Sequence, residues 1–546
     1  MPAGDAGRSA GRGVRPSAPV VGGPGTRPLA VVLIVVVLLA ACQGGGSRNG
    51  GPTAPAGVLR LGVETPGTLD PAQARSPSEL LLAEQLFDGL TAYDPATLAV
   101  KPAIAARWQP SGDLRHWDFN LRPDARFANG RPMTSSDVKY TLERIARKGS
   151  TSPAAPQLAL VTGFQPFNAT GKADSLAGVT TPAPDVVHFD LDEPLAILPA
   201  VLGSPNFGIV PRESAEAVPP SPPFSRQPIG SGAFVLQSRT DAELHLVPAP
   251  DAHVSVKAVD VFLAKDAASA YADFLRGGVD WAEAPTGQTE AVPSGRGRDA
   301  YRPFAAELFY AFNLKNPKLA DQRFREAIVH AVDRDAIVRV VYGSAVLPAT
   351  GLVPRGVPGF QADSCGDVCR FDPDKARALL KDAFGDRPPP DIQIDFDDDP
   401  TQAAVAEAMQ ANLKAVGINA GLRPHPFSEY YTFLRSGQEE MFRLGLIGAY
   451  PHADAFLSPL YETGTNDNVT GFSSPQVDGL LRQGRAEPDE GKGLAAYQQA
   501  ERLVIGQVPV LPIAQFQTHA VTGPRVENLV LSAFGTFDAS QVHLSD

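Results

Sequence analysis

Histidines and clustered carboxylates are the residues whose spacing would first indicate catalysis or metal binding in this chain. The nine histidines are widely separated, and none has a second histidine two or four positions away. We therefore interpret residues such as His188 and His452 as single surface or capping side chains. Asp395 and the run Asp397–Asp399 have the composition of a calcium loop but lack its spaced ligands and terminal glutamate, which favours a solvated acidic turn.

The chain also lacks the common signatures of hydrolases, metalloproteases and nucleotide-hydrolysing enzymes. No G-x-S-x-G, H-E-x-x-H or G-x-x-x-x-G-K-[S/T] pattern occurs in it. A formal net charge of −12 is opposite to the basic surface that nucleic-acid phosphates require. We expect no catalytic residue, no metal, no cofactor and no nucleic-acid partner.

The three cysteines are too few for a disulfide scaffold. Cys365 and Cys369 lie four residues apart in the segment SCGDVC. In an oxidising compartment we expect them to form a disulfide, with free thiols as the alternative. Closing so short a loop contributes about 2 kcal/mol by the chain-entropy relation.

The N-terminal segment indicates export and anchoring. Four arginines and one aspartate precede an apolar run, Leu29–Leu39, that is too short to span a bilayer. The following residues, Leu39–Cys42, read LAAC and resemble a bacterial lipobox, in which the cysteine receives a diacylglycerol. An ordinary signal peptide with an incidental cysteine is the alternative. We predict a lipoprotein signal peptide over 1–41, lipidation of Cys42 and a flexible tether over 42–57.

Cleavage after residue 41 would leave a net charge of −15, so the acyl chains and not surface charge would hold the protein at the membrane. The expected location is the outer face of the bacterial cytoplasmic membrane.

Short apolar or alternating runs predict strands that interleave with amphipathic helices, which indicates an α/β or mixed α+β protein. The capping pattern Ser76-Pro77-Ser78-Glu79 predicts one helix start, and Thr134 or Ser135, Asp321, Asp333, Asp372 and Thr401 mark others. The predicted strands are Val58–Val63, Trp117–Leu121, Val186–Leu191, Ala233–Leu236, Val259–Leu263, Phe309–Asn313, Ile392–Phe396 and Phe442–Ile447.

Several motifs, in order, resemble the family 5 solute-binding lipoproteins of peptide-type ABC importers. Each motif is weak alone, and the assignment depends on their order and spacing over residues 58 to 525. They are Leu69–Pro71, Phe87–Leu90, Trp117–Pro123, Phe127–Pro132 with Asp137–Val138, Pro228–Phe234, Asn313 with Arg325, Ala327, Asp333 and Arg334, Gly471–Phe472, and Pro475–Asp478.

The resemblance implies a periplasmic-binding-protein-like clamshell of two α/β lobes, joined by crossover strands, with an extra inserted domain. Hinge closure around a ligand would distinguish the loaded receptor from the empty one. By analogy, lobe I comprises 58–89, 211–307 and 520–546, the inserted domain 90–210, and lobe II 308–519.

The resemblance also places a ligand-contacting strand at Arg443–Tyr450. Arg443, Gly445 and Tyr450 match the family pattern, whereas Leu446 replaces a tryptophan. Ala449 stands where peptide-binding relatives carry the aspartate that holds the ligand's α-ammonium. Losing one partner of a buried ion pair costs about 3 to 5 kcal/mol, so the usual recognition of a peptide amine is in doubt.

Other candidate ligand contacts have structural alternatives. Asp454 could replace the missing carboxylate, although a solvated loop position is the favoured interpretation. Arg443 is either a ligand contact or part of a structural salt bridge. Tyr310 and Arg75 occupy ligand-lining positions by analogy, with a packed tyrosine and a surface arginine as the favoured alternatives.

The expected function is that of an extracytoplasmic, monomeric receptor that delivers a small solute, most simply a peptide, to an ABC permease and its ATPase subunits. Two alternatives remain open. The same fold could bind a non-peptide solute such as a sugar or a metal chelate, which Ala449 favours, or the lipoprotein could act as a sensor or envelope protein without transport.

Overall fold

The computed structural model describes residues 55–218, 221–285, 292–293, 295–343 and 346–545 of the 546-residue chain. The predicted signal peptide, Cys42 and most of the predicted tether lie outside these residues. Within the described part, no helix is both long enough and apolar enough to cross a bilayer.

Strands and helices alternate along the chain, as the sequence pattern predicts. The strands are β1 Val58–Glu64, β2 Thr91–Tyr93, β3 Val100–Pro102, β4 Ala105–Pro110, β5 His116–Leu121, β6 Val179–Ala183, β7 Val186–Asp190, β8 Phe234–Arg239, β9 Glu243–Pro248, β10 Ala258–Ala264, β11 Trp281–Glu283, β12 Arg298–Phe312, β13 Val346–Pro348, β14 Ile392–Asp397, β15 Ala420–His425, β16 Met441–Ile447, β17 Val510–Thr522, β18 Val526–Glu527 and β19 His543–Leu544.

Many of the helices begin after a capping residue, although α3, α4, α10 and α11 have no capping side chain. They are α1 Pro77–Leu86, α2 Ser135–Ala146, α3 Leu198–Val201, α4 Arg212–Ala215, α5 Ala267–Leu275, α6 Gln322–Ala331, α7 Arg334–Val341, α8 Pro373–Phe384, α9 Pro400–Ala415, α10 Phe427–Phe433, α11 Asp454–Tyr461, α12 Pro475–Ala486 and α13 Glu490–Gln507.

Local hydrogen bonds explain these helix starts. The predicted capping box is present, since Ser76 Oγ accepts from the Glu79 backbone N–H and the Glu79 carboxylate accepts from the Ser76 N–H. Helix α9 begins at Pro400 and not at Thr401, because Asp399 is the residue that caps it.

The acidic run before α9 is not the solvated turn that the sequence predicts. Asp395 and Asp397 are buried at the end of β14, and only Asp398 and Asp399 are exposed. Both Arg423 and His425 contact the Asp395 carboxylate, so that this buried charge is compensated.

One large sheet runs through both lobes. Its strand order is β15-β14-β16-β12-β17-β11-β1-β10-β9-β8, with β13 pairing alongside β17. In the first lobe, β1 lies between the parallel strands β10 and β11. In the second lobe, β14 lies between the parallel strands β15 and β16. The long antiparallel strands β12 and β17 connect the lobes, with a register shift between Pro303 and Glu307.

The inserted domain contains a separate antiparallel sheet of order β4-β5-β7-β6. Trp117, Phe119 and Phe189 are buried on its inner face. Side chains of successive strand residues point to opposite faces, so His116, Asp118, His188 and Asp190 occupy the outer face.

Gly230 and Gly232 place the loop before β8 against the end of α1. A Cβ at Gly230 would lie 1.8 Å from the Leu86 carbonyl oxygen, and one at Gly232 would lie 2.4 Å from that of Gln85. The Ser231 and Gly232 N–H groups both donate to the Leu86 carbonyl. The close approach of the two backbones therefore requires glycine at both positions.

The predicted pairing of Cys365 with Cys369 is compatible with their positions. Both cysteines are buried around a 3₁₀ turn, and their Cα atoms lie 5.5 Å apart, which is an ordinary separation for a disulfide. The structure joins the two sulfurs.

A buried ion cluster joins three distant segments of the first lobe. Arg60 donates to Asp280 through its backbone N, Nε and Nη2 at 2.9, 3.1 and 2.8 Å. Arg525, just after β17, also donates to the Asp280 carboxylate, through Nε at 2.9 Å and through Nη2 at 2.6 Å. Burial works to raise the pKa of Asp280, but the hydrogen bonds from Arg525 and Arg60 outweigh it and hold this pKa below its ordinary value.

We expect Asp280→Asn to lower the free energy of unfolding by about 3 to 5 kcal/mol, because it leaves two guanidinium groups around a neutral amide. Urea denaturation would measure the loss. The wild-type stabilisation should be present above the pKa of an unfolded aspartate and disappear as the pH falls through the lower folded-state pKa.

Asp241→Asn is the matched control. The Asp241 side chain is exposed, 3.8 Å from Arg226, and a surface pair of this kind contributes at most about 1 kcal/mol. Equal small effects of the two substitutions would contradict the proposed importance of the cluster.

Candidate functional site

A cavity of about 740 Å³ lies between the two lobes and the inserted domain. Its walls are formed by α1, strands β2 and β3, the turn after β5, the loop after β16 and the C-terminal segment 532–540. Phe304 of β12 also lines it, at the register shift of the crossover strands. Small-molecule sites are commonly clefts of about 300 to 1,000 Å³, so this cavity is the candidate ligand site.

Two of the sequence-predicted contacts line this cavity. Arg75 is exposed beside α1 and donates to the Thr151 carbonyl. Ala449 follows Ile447 and Gly448 in the loop after β16. A Cβ at Gly448 would lie 2.5 Å from the Phe456 ring, so glycine allows this loop to pack closely against α11. The departure from the family pattern at Ala449 therefore lies at the cavity wall.

Three other predicted contacts do not line the cavity. Leu446 is half-buried and packs against the apolar core. Tyr310 on β12 is fully buried opposite Arg443 on β16. Arg443 Nη1 lies 3.5 Å from Asp397 Oδ2, and the side chains of these two residues are 18% and 4% exposed. This arrangement corresponds to the structural salt-bridge alternative for Arg443.

Asp454 is not the solvated loop residue that the sequence favours. It is 4% exposed in the first turn of α11, and its carboxylate accepts from Tyr450 Oη at 2.6 Å, Ser458 Oγ at 2.6 Å and Tyr497 Oη at 2.7 Å. Arg485 Nη1 lies 3.8 Å away. Neither Tyr450 nor Asp454 lines the cavity, so this carboxylate does not take the place of the missing family aspartate.

The charge of Asp454 is nevertheless favoured. Burial works to raise its pKa, but Arg485 and the hydrogen bonds from Ser458 and Tyr450 outweigh burial and lower it. Arg485 also makes a bidentate contact with Glu462, both distances being 2.7 Å, and its backbone carbonyl accepts from the N–H of Ala196. The network thus stabilises the second lobe and its contact with the inserted domain.

The carboxylates that do line the cavity are ones that sequence reasoning missed. Glu84 on α1, Asp88 just after it, and Asp538 near the C-terminus face the cavity together with Lys101 and Arg122. Arg122 Nη2 lies 3.4 Å from Asp88 Oδ2. One Glu84 oxygen, Oε2, is buried and has no hydrogen-bond partner among the described residues. Glu84 and Asp88 lie four positions apart in sequence, but Asp538 lies more than 400 positions further along the chain, so spacing alone does not group these carboxylates.

Withdrawal from bulk water raises the pKa of both acids beside α1. The pKa of Glu84 is raised to about 7, because burial and, to a smaller extent, Asp538 outweigh the hydrogen bond from Thr536 that lowers it. The pKa of Asp88 rises to about 6, with Arg122 opposing the change. The charge of this cavity wall therefore changes near neutral pH.

The profile of the bacterial extracellular solute-binding proteins, family 5 Middle, matches residues 99–468. The chain belongs to this family. The predicted two-lobe clamshell with an inserted domain is confirmed, and a solute-binding role follows for the chain as a family member.

Known relatives extend over almost the whole described chain. The periplasmic murein peptide-binding protein MppA of Escherichia coli is 28% identical over 480 residues, which cover 84% of this chain and 88% of MppA. The probable deoxycholate-binding periplasmic protein YgiS of the same organism is 28% identical over 476 residues, 85% of this chain and 88% of YgiS.

Among solved structures, the clavulanic acid biosynthesis oligopeptide binding protein 2 superposes with a TM-score of 0.79 at 23% identity, covering 90% of this chain and 96% of that one. This similarity shows the fold.

We expect Glu84→Gln to stabilise the protein more at pH 8 than at pH 5, by about 1 to 2 kcal/mol. The folded protein holds the Glu84 proton more tightly than the unfolded chain does. The contribution of the Glu84 carboxyl group to the free energy of unfolding is therefore greatest at low pH and is lost as the pH rises through about 7. Chemical denaturation of both proteins across this range measures the difference.

Glu407→Gln on the exposed face of α9 is the control and should not change the pH profile. Parallel pH profiles for wild type and Glu84→Gln would refute the assignment of a raised pKa to Glu84.

Proposed function

We propose that this protein is an extracytoplasmic receptor that captures a small solute, a peptide or a related compound, in the inter-lobe cavity and delivers it to an ABC permease. The observation that carries the proposal is the cavity itself. It has the volume of a ligand site, lies at the crossover strands and exposes both cationic and anionic side chains. The names of several relatives, including MppA, describe peptide-binding proteins.

The remaining features of the proposal follow from this role. The protein acts as a monomer, performs no catalysis and uses no cofactor, and a permease with its ATPase subunits is its transport partner. We retain the proposed boundaries, with 58–89, 211–307 and 520–546 as lobe I, 90–210 as the inserted domain and 308–519 as lobe II. Arg75 and Ala449 would contact the ligand, whereas Tyr310, Arg443, Tyr450 and Asp454 would support the second lobe.

Recognition of the ligand would differ from that in peptide-binding relatives with an aspartate at the position of Ala449. The carboxylates that line the cavity, Glu84, Asp88, Asp124, Asp251 and Asp538, come from other segments of its wall. The terminal ammonium group of a peptide would have no carboxylate partner at position 449. We propose that a free α-amine contributes little to affinity.

A non-peptide solute is the second candidate, and Ala449 is the observation that favours it. Two relatives carry names that describe other ligands, a probable deoxycholate-binding protein and a heme-binding protein. A sugar or a metal chelate would also need no ammonium anchor. A transport-independent sensor or envelope lipoprotein is the third candidate, and a permease and an ATPase encoded beside it would argue against that role.

The direct test is native mass spectrometry of the protein purified from its own host, followed by identification of the retained solute. X-ray scattering with that solute added should then show a more compact particle, because the lobes close on the ligand. Conversion of the solute by the purified protein would contradict the receptor proposal and support an enzyme.

We expect matched tripeptides with free and acetylated N-termini to bind with affinities that differ by less than about 1 kcal/mol, because no carboxylate stands at position 449. Isothermal titration calorimetry measures both affinities. Ala449→Asp is the informative variant, since a carboxylate at this wall should create a preference for the free amine.

A strong preference of the wild type for the free amine would contradict this prediction. Glu84→Gln, Asp88→Asn and Asp538→Asn would then identify the carboxylate responsible, with Asp467→Asn as an exposed control outside the cavity. If neither tripeptide binds, the non-peptide solute becomes the better candidate.

We also propose that Cys42 carries the lipid anchor. Cys42→Ala should move the protein from the membrane fraction to the soluble fraction, because a lipid chain inserts into the bilayer and the acidic protein surface does not. Fractionation followed by immunoblotting measures the change, and Ser47→Ala in the adjacent tether is the control. Unchanged membrane association of Cys42→Ala would refute the anchor.

A further inference from the structure

The outer face of the inserted-domain sheet brings together two histidines and two aspartates that are distant in sequence. In the antiparallel register of β5 and β7, His116 lies opposite Asp190 and Asp118 lies opposite His188. All four side chains occupy the same face, because each pair on a strand is separated by two residues. The sheet therefore assembles a compact block of imidazoles and carboxylates that the linear spacing of the histidines conceals.

Three of these residues converge on one point. Asp190 Oδ1 lies 2.6 Å from His116 Nδ1 and 3.1 Å from His188 Nε2. One ligand atom from each of His116, His188 and Asp190 lies within 4.8 Å of the other two. A zinc ion binds imidazole nitrogen and carboxylate oxygen at about 2.0 to 2.2 Å, so small side-chain rotations would bring these three atoms into its coordination shell.

Asp118, the fourth residue, orients the His188 ring for metal binding. Asp118 Oδ1 lies 2.7 Å from His188 Nδ1, at the other end of the ring from Asp190. Asp118 holds a proton on Nδ1, so that a metal ion which displaces the proton from Nε2 would meet the Nε2 lone pair on the side of Asp190 and His116. A carboxylate behind a metal-binding histidine is the common way to set its tautomer and ring orientation.

We propose that His116, His188 and Asp190 bind a divalent transition-metal ion, Zn²⁺ foremost, and that Asp118 orients His188. When both imidazoles are neutral, the charge of the cluster comes from its two carboxylates, and a divalent cation neutralises it. Imidazole nitrogen with carboxylate oxygen suits zinc and its neighbours in the first transition row better than calcium or magnesium, which prefer oxygen ligands alone.

The site is open to solvent. The side chains of His116, Asp118, His188 and Asp190 are 53%, 51%, 27% and 38% exposed. Metal can enter directly, and water can complete the coordination shell. None of the four residues lines the inter-lobe cavity, so metal binding here is separate from solute binding there. A bound ion would cross-link β5 and β7.

The test is titration of the purified, tag-free, chelator-stripped protein with Zn²⁺ alone by isothermal titration calorimetry, and with Co²⁺ alone by visible absorption. We expect saturation at one equivalent and a rise in melting temperature with Zn²⁺. His188→Asn and His116→Asn should each weaken zinc binding by at least about tenfold, since each removes one of three protein ligands.

Asp118→Asn separates the orienting role from ligation. It should weaken zinc binding by about 10- to 100-fold while the stoichiometry of one ion is retained, because the three ligands remain. His543→Asn, at an exposed histidine on β19, is the control and should leave zinc affinity unchanged. Circular dichroism of the metal-free variants checks that each of them folds.

Absence of saturable zinc binding would overturn the proposal. Binding that His188→Asn leaves unchanged would also overturn it, because the ion would then occupy another site. If only Asp118→Asn has no effect, the three-ligand site stands and the orienting role of Asp118 is wrong.

Discussion

The antiparallel pairing of β12 with β17 is the interaction on which the rest of the structure depends. The two strands pair along their length, from Arg298 with Thr522 to Ala311 with Val510. The other strands of the large sheet extend outward from this pair on both sides. Strands β11 and β1 continue the sheet on one side, and β16 and β14 continue it on the other. The register shift between Pro303 and Glu307 interrupts the ladder at the cavity, where Phe304 is exposed to it. A connection of only two long strands between the lobes is compatible with hinge closure.

The buried acids with arginine partners and the acids beside the cavity have different roles. Asp280, Asp395 and Asp454 are buried and each contacts an arginine, so their desolvation is offset and they join elements from distant parts of the chain. Glu84 and Asp88 line the cavity and are compensated poorly, which raises the pKa of both groups. Glu84 and Asp88 also face the cavity, so a ligand can reach them, and this gives the wall beside α1 a distinctive chemistry.

Ala449 lies in the wall of the same cavity, and it is the position at which we expect the sequence to differ from peptide-binding relatives. Removal of a carboxylate from one wall of a ligand site changes which solute can be bound, even when the scaffold around that site is retained. The loop holding Ala449 keeps its close packing, since Gly448 lies against Phe456 and its N–H donates to the Ala305 carbonyl. We therefore expect Ala449 to affect ligand recognition and not the packing of this loop. The outer face of the inserted domain carries an independent chemistry of histidine and aspartate at a distance from this wall.

The sequence alone predicted eight of the strands, several helix starts and the family, because these depend on local signals, but it did not predict the crossover strand β17. Capping residues such as Ser76 and alternating apolar runs act within a few positions, and the order of the motifs does not require knowledge of contacts. It also located Ala449 and Arg75, which line the cavity. Only the tertiary structure decided that Asp454 and Asp395 are buried, that Glu84, Asp88 and Asp538 share one wall, and that His116 lies beside His188. The environment of a side chain depends on segments that pack against it from elsewhere in the chain. Spacing along the sequence does not show which segments these are.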